Sequence, residues 1–351
     1  MKPIASRTRA ASGKLDEKVA FLADARHYPH RPRAVWRIET HFAWIFLAGE
    51  RAYKLKKPLR QASMDYRTVA LRERACRAEL ELNRRLAAQV YRRIVPLGRT
   101  RDGRLALRAG AGGVVDWLVQ MRRLPASRML DQAIAGRSVG ARDLEPVVAR
   151  LVAFFRGVER LPMTDRAYRA HLREDILHSA RELLAPDLAL QARRVNRVMQ
   201  RQLAWLARHG RLLDGRGAML RDGHGDLRPE HVFLGTLRYP SCVIDCLEFD
   251  PRLRRLDPAE EMAFLAMECA RLGAARLGRA LLARYAQAMG DPIPPPLIEF
   301  YMSRRATVRA QIAAWHVRDP QFAGHARQWR ARAYSYLDDA LRYVRRATAR
   351  D

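Results

Sequence analysis

The sequence predicts an α+β protein of two lobes, a small antiparallel-sheet lobe followed by a large helical one, with a cleft between them. Three observations carry this. Strand-like runs gather in the first 125 residues, and a 3.6-residue apolar period dominates after Pro125. The length of 351 residues corresponds to about two domains or lobes at roughly 150 residues each. The expected division is 1–122 and 123–351, joined by a connector near 121–127.

The elements follow in order. Val35 to Glu39, Trp44 to Leu47 and Ala52 to Lys56 are β-rich runs separated by Thr40-His41-Phe42-Ala43 and Ala48-Gly49-Glu50-Arg51, an antiparallel meander. A helix is expected from Met64 to Ala87, with Leu71, Ala75, Leu82 and Leu86 on one stripe. Two strands flank the turn Arg101-Asp102-Gly103. Another covers Val114 to Arg122 and stops at Leu124-Pro125. Helical periodicity then covers 141–160, 165–184, 188–209, 258–289, 296–317 and 325–347. One hairpin interrupts it, Val232-Phe233-Leu234 against Cys242-Val243-Ile244.

Composition excludes several classes. Hydrophobic residues at 48% and charged residues at 29% describe a globular chain, not a disordered one. No apolar run approaches the roughly 20 residues of a membrane span. MKPIASRTRAASGK carries charge without a following apolar core, so no signal peptide is expected. Cys76, Cys242, Cys246 and Cys269 form no C-x-x-C pair and suit a reducing cytoplasm.

Net charge is +29, and the pI is about 11.2, which raises nucleic acid as a partner. Yet only six of 66 basic residues are lysine, and the arginines run through nearly every helical segment. That spread reads mostly as a coding bias towards arginine, with a solvated arginine-rich face as its plain consequence and a genuine anionic partner as the alternative. Against this background the cluster Lys54, Lys56 and Lys57 stands out, because a compact ammonium does chemistry that a guanidinium does not.

The sharpest motif is His224-Gly225-Asp226-Leu227-Arg228-Pro229-Glu230-His231, on the loop entering the hairpin. Ile244-Asp245-Cys246-Leu247-Glu248 follows at its far end. Two aspartates at one end of a two-stranded ribbon suit phosphoryl transfer. One orients the acceptor hydroxyl and takes its proton; the other holds a metal ion that bridges nucleotide phosphates.

These residues resemble the two signature motifs of the aminoglycoside phosphotransferase family, kinases with a protein-kinase-like fold. WIFLAGERAYKLKKP from Trp44 to Pro58, ELELNRRL from Glu79 to Leu86 and Met121-Arg122-Arg123-Leu124-Pro125 also resemble an uncharacterised bacterial branch of it. Some members of that branch are fused to a P-loop ATPase. The sequence has no G-x-x-x-x-G-K-[ST], so that module is expected to be absent.

The resemblance implies roles. The lobe 1–122 would bind nucleotide, and 123–351 would hold the catalytic loop and the acceptor. Lys56 would contact the α- and β-phosphates, with Lys54 on the same strand face as the alternative. Glu79 would pair with that lysine, with Glu73 as the alternative. Asp226, with His224 beside it, would be catalytic, and Asp245 would bind metal. Met121, Arg122, Arg123 and Leu124 would form the hinge that meets adenine. The turn Thr40 to Ala43 would lie over the phosphates, although it lacks glycine. The resemblance also places at Asp257 an aspartate that supports the active-site loops; by itself Asp257-Pro258-Ala259-Glu260 is a helix start.

The family usually has Asn five residues after the catalytic Asp; here it is His231. Three readings stand. His231 ligates Mn²⁺, or it only hydrogen-bonds while Asp245 holds Mg²⁺, or the protein binds nucleotide without transfer. On the helix beginning near Pro296, the stripe Leu297, Phe300, Tyr301, Val308, Ile312 and Trp315 includes Arg304, with Arg305 at its edge and Arg309 a turn beyond. Arg305 and Arg309 are either a clamp for an acidic substrate or internally paired.

The leading expectation is an ATP-dependent kinase acting on a hydroxyl of a small molecule, with Mg²⁺ or Mn²⁺. A nucleotide-binding pseudokinase or regulatory protein is the alternative. An arginine-driven nucleic-acid binder and a nucleotidyl transferase rank below it. A chain this basic argues against polycationic aminoglycosides as acceptors and leaves an anionic acceptor open.

Overall fold

The computed structural model describes residues 15–61, 64–319 and 324–349. The N-terminal stretch read for a signal peptide, residues 1–14, lies outside them. Two compact units emerge. The first combines 1–128 with Cys242–Arg252, and the second combines Met129–Ser241 with 253–351.

In the first unit, helix α1 is described over 15–23. Strands β1 (Val35–Glu39), β2 (Ala43–Ala48) and β3 (Arg51–Lys56) form the expected meander. The short strands β4 (Arg60–Gln61) and β5 (Met64–Asp65) precede helix α2 (Val69–Ala87). Strands β6 (Tyr91–Arg99), β7 (Leu105–Ala106) and β8 (Val114–Arg122) follow. The helix expected from Met64 therefore starts later. Met64 and Asp65 pair with Gln61 and Arg60 as strand, and Thr68 caps α2 by accepting the Leu71 N–H at 3.2 Å.

The six-stranded sheet has the order β1-β2-β3-β8-β6-β7. Its neighbouring strands all pair antiparallel, with Ile45 opposite Lys54 and Lys54 opposite Val119. Strand alternation separates the two faces of β3. Tyr53 and Leu55 join Phe46, Leu97 and Leu118 in a core that includes Val19 and Leu22 of α1. Lys54 and Lys56 point to the other face, where α2 lies. Buried Asp116 on β8 ties both helices to the sheet: it takes Arg72 of α2 at 2.6 Å and Lys18 of α1 at 2.7 Å.

The second unit is mostly helical. Its helices are α3 (Leu130–Ala135), α4 (Glu145–Gly157), α5 (Asp165–Leu183) and α6 (Ala192–His209). Short strands β9 (Arg221–Asp222) and β10 (Val232–Phe233) come next. Strand β11 (Cys242–Val243) belongs to the first unit. Then follow β12 (Arg255–Leu256), α7 (Pro258–Arg271), α8 (Ala275–Met289), α9 (Pro295–Trp315) and α10 (Ala326–Thr348). The single helix expected over 258–289 is two, because Gly273 at φ +82° breaks it.

Two of these helices position the site. Helix α7 is buried almost all round, and its three acids Glu260, Glu261 and Glu268 are buried with it. Helix α9 departs from the expected stripe. Val308, Ile312 and Trp315 are only half-buried, while Ser303, Arg304, Arg305, Thr307 and Arg309 are buried. Neighbouring helices enclose α9, and several of its polar positions are bonded across to them. Gln202 of α6 donates to Ser303 Oγ at 2.8 Å and to Thr307 Oγ1 at 2.9 Å. Among the described residues no helix is long and apolar enough to cross a membrane.

Candidate active site

The first unit gathers lysines and acids. β3 carries Lys54 and Lys56 two residues apart, and α2 carries Glu79 opposite them. Lys56 Nζ is 2.6 Å from Glu79 Oε2, and Lys54 Nζ is 2.9 Å from Glu79 Oε1. One fully buried carboxylate thus bridges both expected lysines. Lys54 also reaches Asp245 Oδ1 at 2.7 Å, and Lys56 pairs with Glu248. Tyr66 donates its hydroxyl to Glu248 at 2.6 Å. Glu73, the alternative partner, instead pairs along the exposed side of α2 with Arg77 at 2.6 Å.

Backbone contacts fix the Asp245 turn. Asp245 adopts φ +63°, a left-handed conformation uncommon for a residue with a Cβ. Its N–H donates to the Tyr91 hydroxyl at 3.1 Å, and the next N–H, of Cys246, donates to Asn83 Oδ1 at 2.9 Å. Asn83 is one turn beyond Glu79 on α2 and donates back to the Glu79 carbonyl at 2.9 Å. The same helix face therefore orients the lysine partner and the aspartate turn. The Asp245 side chain remains 46% exposed.

The electrostatics follow from this packing. Burial pushes both ammonium groups down, but the surrounding acids override it and hold Lys54 and Lys56 well above the usual lysine value. For Lys54 the leading acid is Asp245; for Lys56 it is Glu248. Burial likewise raises Glu248, but Lys56 and Lys54 outweigh it and hold the carboxyl low.

Two stretches expected to meet nucleotide have part of their backbone occupied. Arg122 N–H donates to Val90 O at 2.8 Å, and Arg123 N–H to Glu50 O at 3.0 Å. Of the expected hinge, those two amides are committed inside the unit. In the turn Thr40 to Ala43, Thr40 N–H donates to Ala43 O at 2.8 Å, and Ala43 N–H to Thr40 Oγ1 at 3.0 Å.

The second unit holds the His224-Gly225-Asp226 loop. Strand β9 delivers it, and Gly223 N–H bonds Arg254 O at 2.7 Å. Glu261 of α7 then takes two successive backbone donors: His224 N–H at 2.9 Å and Gly225 N–H at 2.6 Å. Glycine at 223 is needed for this approach, since a Cβ there would stand 2.3 Å from Glu261 Oε2. Gly225, at φ +86°, reverses the chain. Burial pushes the Glu261 carboxyl up, and the two N–H groups only partly offset it.

His224 is completely buried. Its Nδ1 accepts the Asp226 N–H at 3.3 Å, so the ring positions the aspartate from behind. Arg228 Nε donates to Asp226 Oδ2 at 3.0 Å, and its Nη1 lies 2.6 Å from Glu230. His231 Nδ1 is 2.8 Å from the Asp226 carbonyl, and its Nε2 is 3.2 Å from Arg228 Nη2. Burial works against ionising Asp226, but Arg228, His231 and Arg309 outweigh it, and the carboxyl sits below its ordinary range.

The aspartate expected to support these loops does something else. Asp257 caps α7 through the Ala259 N–H at 2.9 Å, and it accepts Arg216 Nε at 2.7 Å and the Tyr301 hydroxyl at 2.7 Å. The loop is carried by Glu261, one turn further along. Sequence reasoning missed Glu261, Glu248 and Arg228. Glu261 had a signal, an acid entering the apolar run Met262-Ala263-Phe264-Leu265. Arg305 and Arg309 are both buried on α9, with Glu260 Oε1 3.0 Å from Arg305 Nε and Glu268 Oε1 3.4 Å from Arg309 Nε.

Comparison with known proteins bears on the fold. No family model matches the chain. An uncharacterized protein from Mycobacterium tuberculosis is 33% identical over 324 residues, covering 89% of this chain and 60% of the relative. The chain therefore spans less than two thirds of the length of the curated relatives it matches. A choline/ethanolamine kinase family protein from Mesorhizobium loti superposes with a TM-score of 0.50 at 14% identity, covering 94% of this chain and 99% of that one. An aminoglycoside 2'-phosphotransferase-IIIa variant in complex with GDP gives 0.51 at 12% identity, covering 88% and 91%. At such identities the likeness is one of fold.

Proposed function

On the premise of an aminoglycoside phosphotransferase-like, protein-kinase-like fold, we propose that the chain transfers the γ-phosphoryl group of ATP to a hydroxyl of a small molecule. The observation that carries this reading is Asp226. Its carboxylate is about one-fifth exposed, is held low by Arg228 and sits on a loop fixed through Glu261. An ionised carboxylate on a fixed loop orients the acceptor hydroxyl and receives its proton. The acceptor oxygen bonds to the γ-phosphorus. The bond from that phosphorus to the β–γ bridging oxygen breaks, and ADP leaves with the electron pair. Because its pKa is depressed, Asp226 is a weak base, so orientation is the larger part of its contribution.

The first unit supplies the nucleotide's countercharges in this reading. Lys56, with Lys54 beside it, meets the α- and β-phosphates, and Glu79 keeps both ammonium groups in place. Met121 and Leu124 remain the hinge positions proposed to meet adenine. Asp245 offers hard carboxylate oxygens, the kind Mg²⁺ takes once or twice while phosphates and water complete its shell. When bound, the ion neutralises phosphate charge. His231 acts inside the loop, since both of its ring nitrogens already face loop partners. His224 positions Asp226. The four free cysteines are buried, which suits a reducing cytoplasm.

Calorimetry with metal–ATP tests the reading. Lys56→Ala and Asp245→Ala are expected to weaken binding about tenfold or more, the loss of a charge-assisted contact to phosphate. Unchanged affinity in both variants sinks the assignment. Transfer from γ-labelled ATP across an acceptor panel, in Mg²⁺ and in Mn²⁺, then separates a kinase from a protein that only binds nucleotide.

A further inference from the structure

Arginines 305 and 309 lie one turn apart on α9, and the transfer described above assigns neither a contact with nucleotide or acceptor. Arg305 is 7% exposed and Arg309 9%. A buried guanidinium ordinarily has its N–H donors met. Arg304, next in the chain, follows that rule, with Nη1 donating to Glu260 Oε1 at 3.1 Å and Nη2 to Asp175 Oδ2 at 2.7 Å.

Arg305 does not follow it. Its Nε and Nη2 have no hydrogen-bond partner among the described residues. Glu260 Oε1 stands 3.0 Å from Nε but out of line for a hydrogen bond. Arg309 Nε is also unmet, with Glu268 Oε1 at 3.4 Å. Nε and Nη2 together form the side edge of a guanidinium, where two parallel N–H groups match two oxygens of a carboxylate or phosphate. The nearby acids have other duties. Glu260 already takes Arg304, Glu261 takes the loop amides, and Glu268 accepts the Tyr336 hydroxyl at 3.1 Å.

The edge belongs to the same neighbourhood as the chemistry. Arg305 sits 5.3 Å over the Phe264 ring of α7, the helix whose Glu261 carries the Asp226 loop. The charges of Arg309 and Asp226 act on each other. We propose that Arg305 and Arg309 form the anion end of the acceptor site, so that the acceptor is a hydroxylated carboxylate or phosphate ester. Its oxyanion docks on the Arg305 side edge, and its hydroxyl meets Asp226. This rests on the phosphotransfer reading and narrows it, away from the amine acceptors for which the solved neighbours are named.

The experiment uses the full chain with Mg–ADP occupying the nucleotide site, and three matched pairs of probes: gluconate and glucose, glycerate and glycerol, glycerol 3-phosphate and glycerol. In at least one pair, the anion is expected to bind about tenfold or more tighter than its neutral twin, the scale of a bidentate charge-assisted contact. Arg305→Lys keeps the charge and loses the fork, so it should erase most of that preference. Arg193→Gln, exposed on α6, should keep it. In transfer assays the Arg305→Lys effect should fall on KM, with kcat within about threefold. The carboxylate and phosphate arms identify the oxyanion. Equal binding within all three pairs overturns the inference, and so does an Arg305→Lys protein that discriminates as the wild type does. If Arg305→Lys does not fold, the wild-type pairs decide alone. Transfer to neutral or amine acceptors without anion preference removes this inference and leaves the kinase. Anion preference without metal–ATP binding does the reverse.

Discussion

The two charged clusters are built on different plans. In the first unit, Lys54, Lys56, Glu79, Asp245 and Glu248 face one another side chain to side chain. In the second, Glu261 grips the backbone of the Asp226 loop, and Arg228 and His231 close around it. Ion pairs between flexible side chains can be exchanged for a ligand's charges. A loop held by its amides presents one carboxylate in one place. On the proposed reading, the first plan suits a group that releases Lys54 from Asp245 to admit a metal–nucleotide, and the second suits a group already in position when the acceptor arrives.

The sharpest break between the plans is a substitution in the held loop. Asp226→Asn keeps the size of the side chain and removes the base. Transfer is expected to fall by about 10²- to 10⁴-fold, because the amide neither takes the proton nor orients the hydroxyl as the anion does. Metal–ATP affinity should stay near wild type, because the lost interaction forms with the acceptor. Single-turnover transfer alongside calorimetry separates the two. An Asp226→Asn protein with full transferase activity removes Asp226 from the mechanism.

A smaller effect distinguishes the plans by pH. Glu248 is held below the ordinary carboxylate range, because Lys56 and Lys54 prevail over burial. Its contribution to stability is present above its unfolded value and is lost as pH falls through the folded one. Glu261 is pushed above the ordinary range, chiefly by burial. Its contribution is complete below the unfolded value, about 4.3, and declines as pH rises through the folded one. Glu248→Gln should therefore flatten the acid limb of the stability profile and cost about 1–3 kcal/mol at neutral pH. Glu261→Gln should remove a slope of opposite sign, at a cost of about 1 kcal/mol, since the amide oxygen still accepts one N–H. Urea melts from pH 4 to 8 read both. Slopes of the same sign in the two variants would erase the distinction.

Much of the first plan is legible in the sequence. Alternation places Lys54 and Lys56 on one strand face, and a glutamate on the next helix is a natural partner. Glu248 is not legible, because no period relates a residue beyond Asp245 to a strand nearly two hundred residues earlier. The second plan is legible in its motif and hidden in its support. Capping rules pick out Asp257 correctly as a helix start, yet the loop's support is Glu261. Only the tertiary placement of α7 turns Glu261 towards amides. The stripe on α9 misleads for a related reason. Period alone assumes one buried face, whereas α9 is enclosed and its arginines are buried among acids from α7. The start of α2 shifts to Val69 because Met64 and Asp65 pair as strand, a local contest between pairing and helix that propensity does not resolve.

The smallest expected effect concerns His231, at the position where the aminoglycoside phosphotransferase family that the motif resembles usually has Asn. With its proton on Nδ1, the ring donates to the Asp226 carbonyl at 2.8 Å and leaves Nε2 to accept from Arg228 Nη2 at 3.2 Å. That arrangement braces Asp226 from its own loop and steadies the arginine that keeps it ionised. Asparagine at 231 is shorter and cannot hold both partners at those positions. His231→Asn should therefore lose about one net hydrogen bond, roughly 0.5–1.5 kcal/mol, seen as a fall in transfer of about two- to tenfold. The ratio of activity in Mg²⁺ to that in Mn²⁺ should stay within about twofold, because both ring nitrogens already face loop partners. A ligand imidazole behaves otherwise. Replacing it with an amide oxygen favours the harder ion and would move the ratio by about tenfold or more towards Mg²⁺. Metal titrations of transfer in both proteins distinguish the outcomes, and a large shift towards Mg²⁺ would return His231 to the metal site.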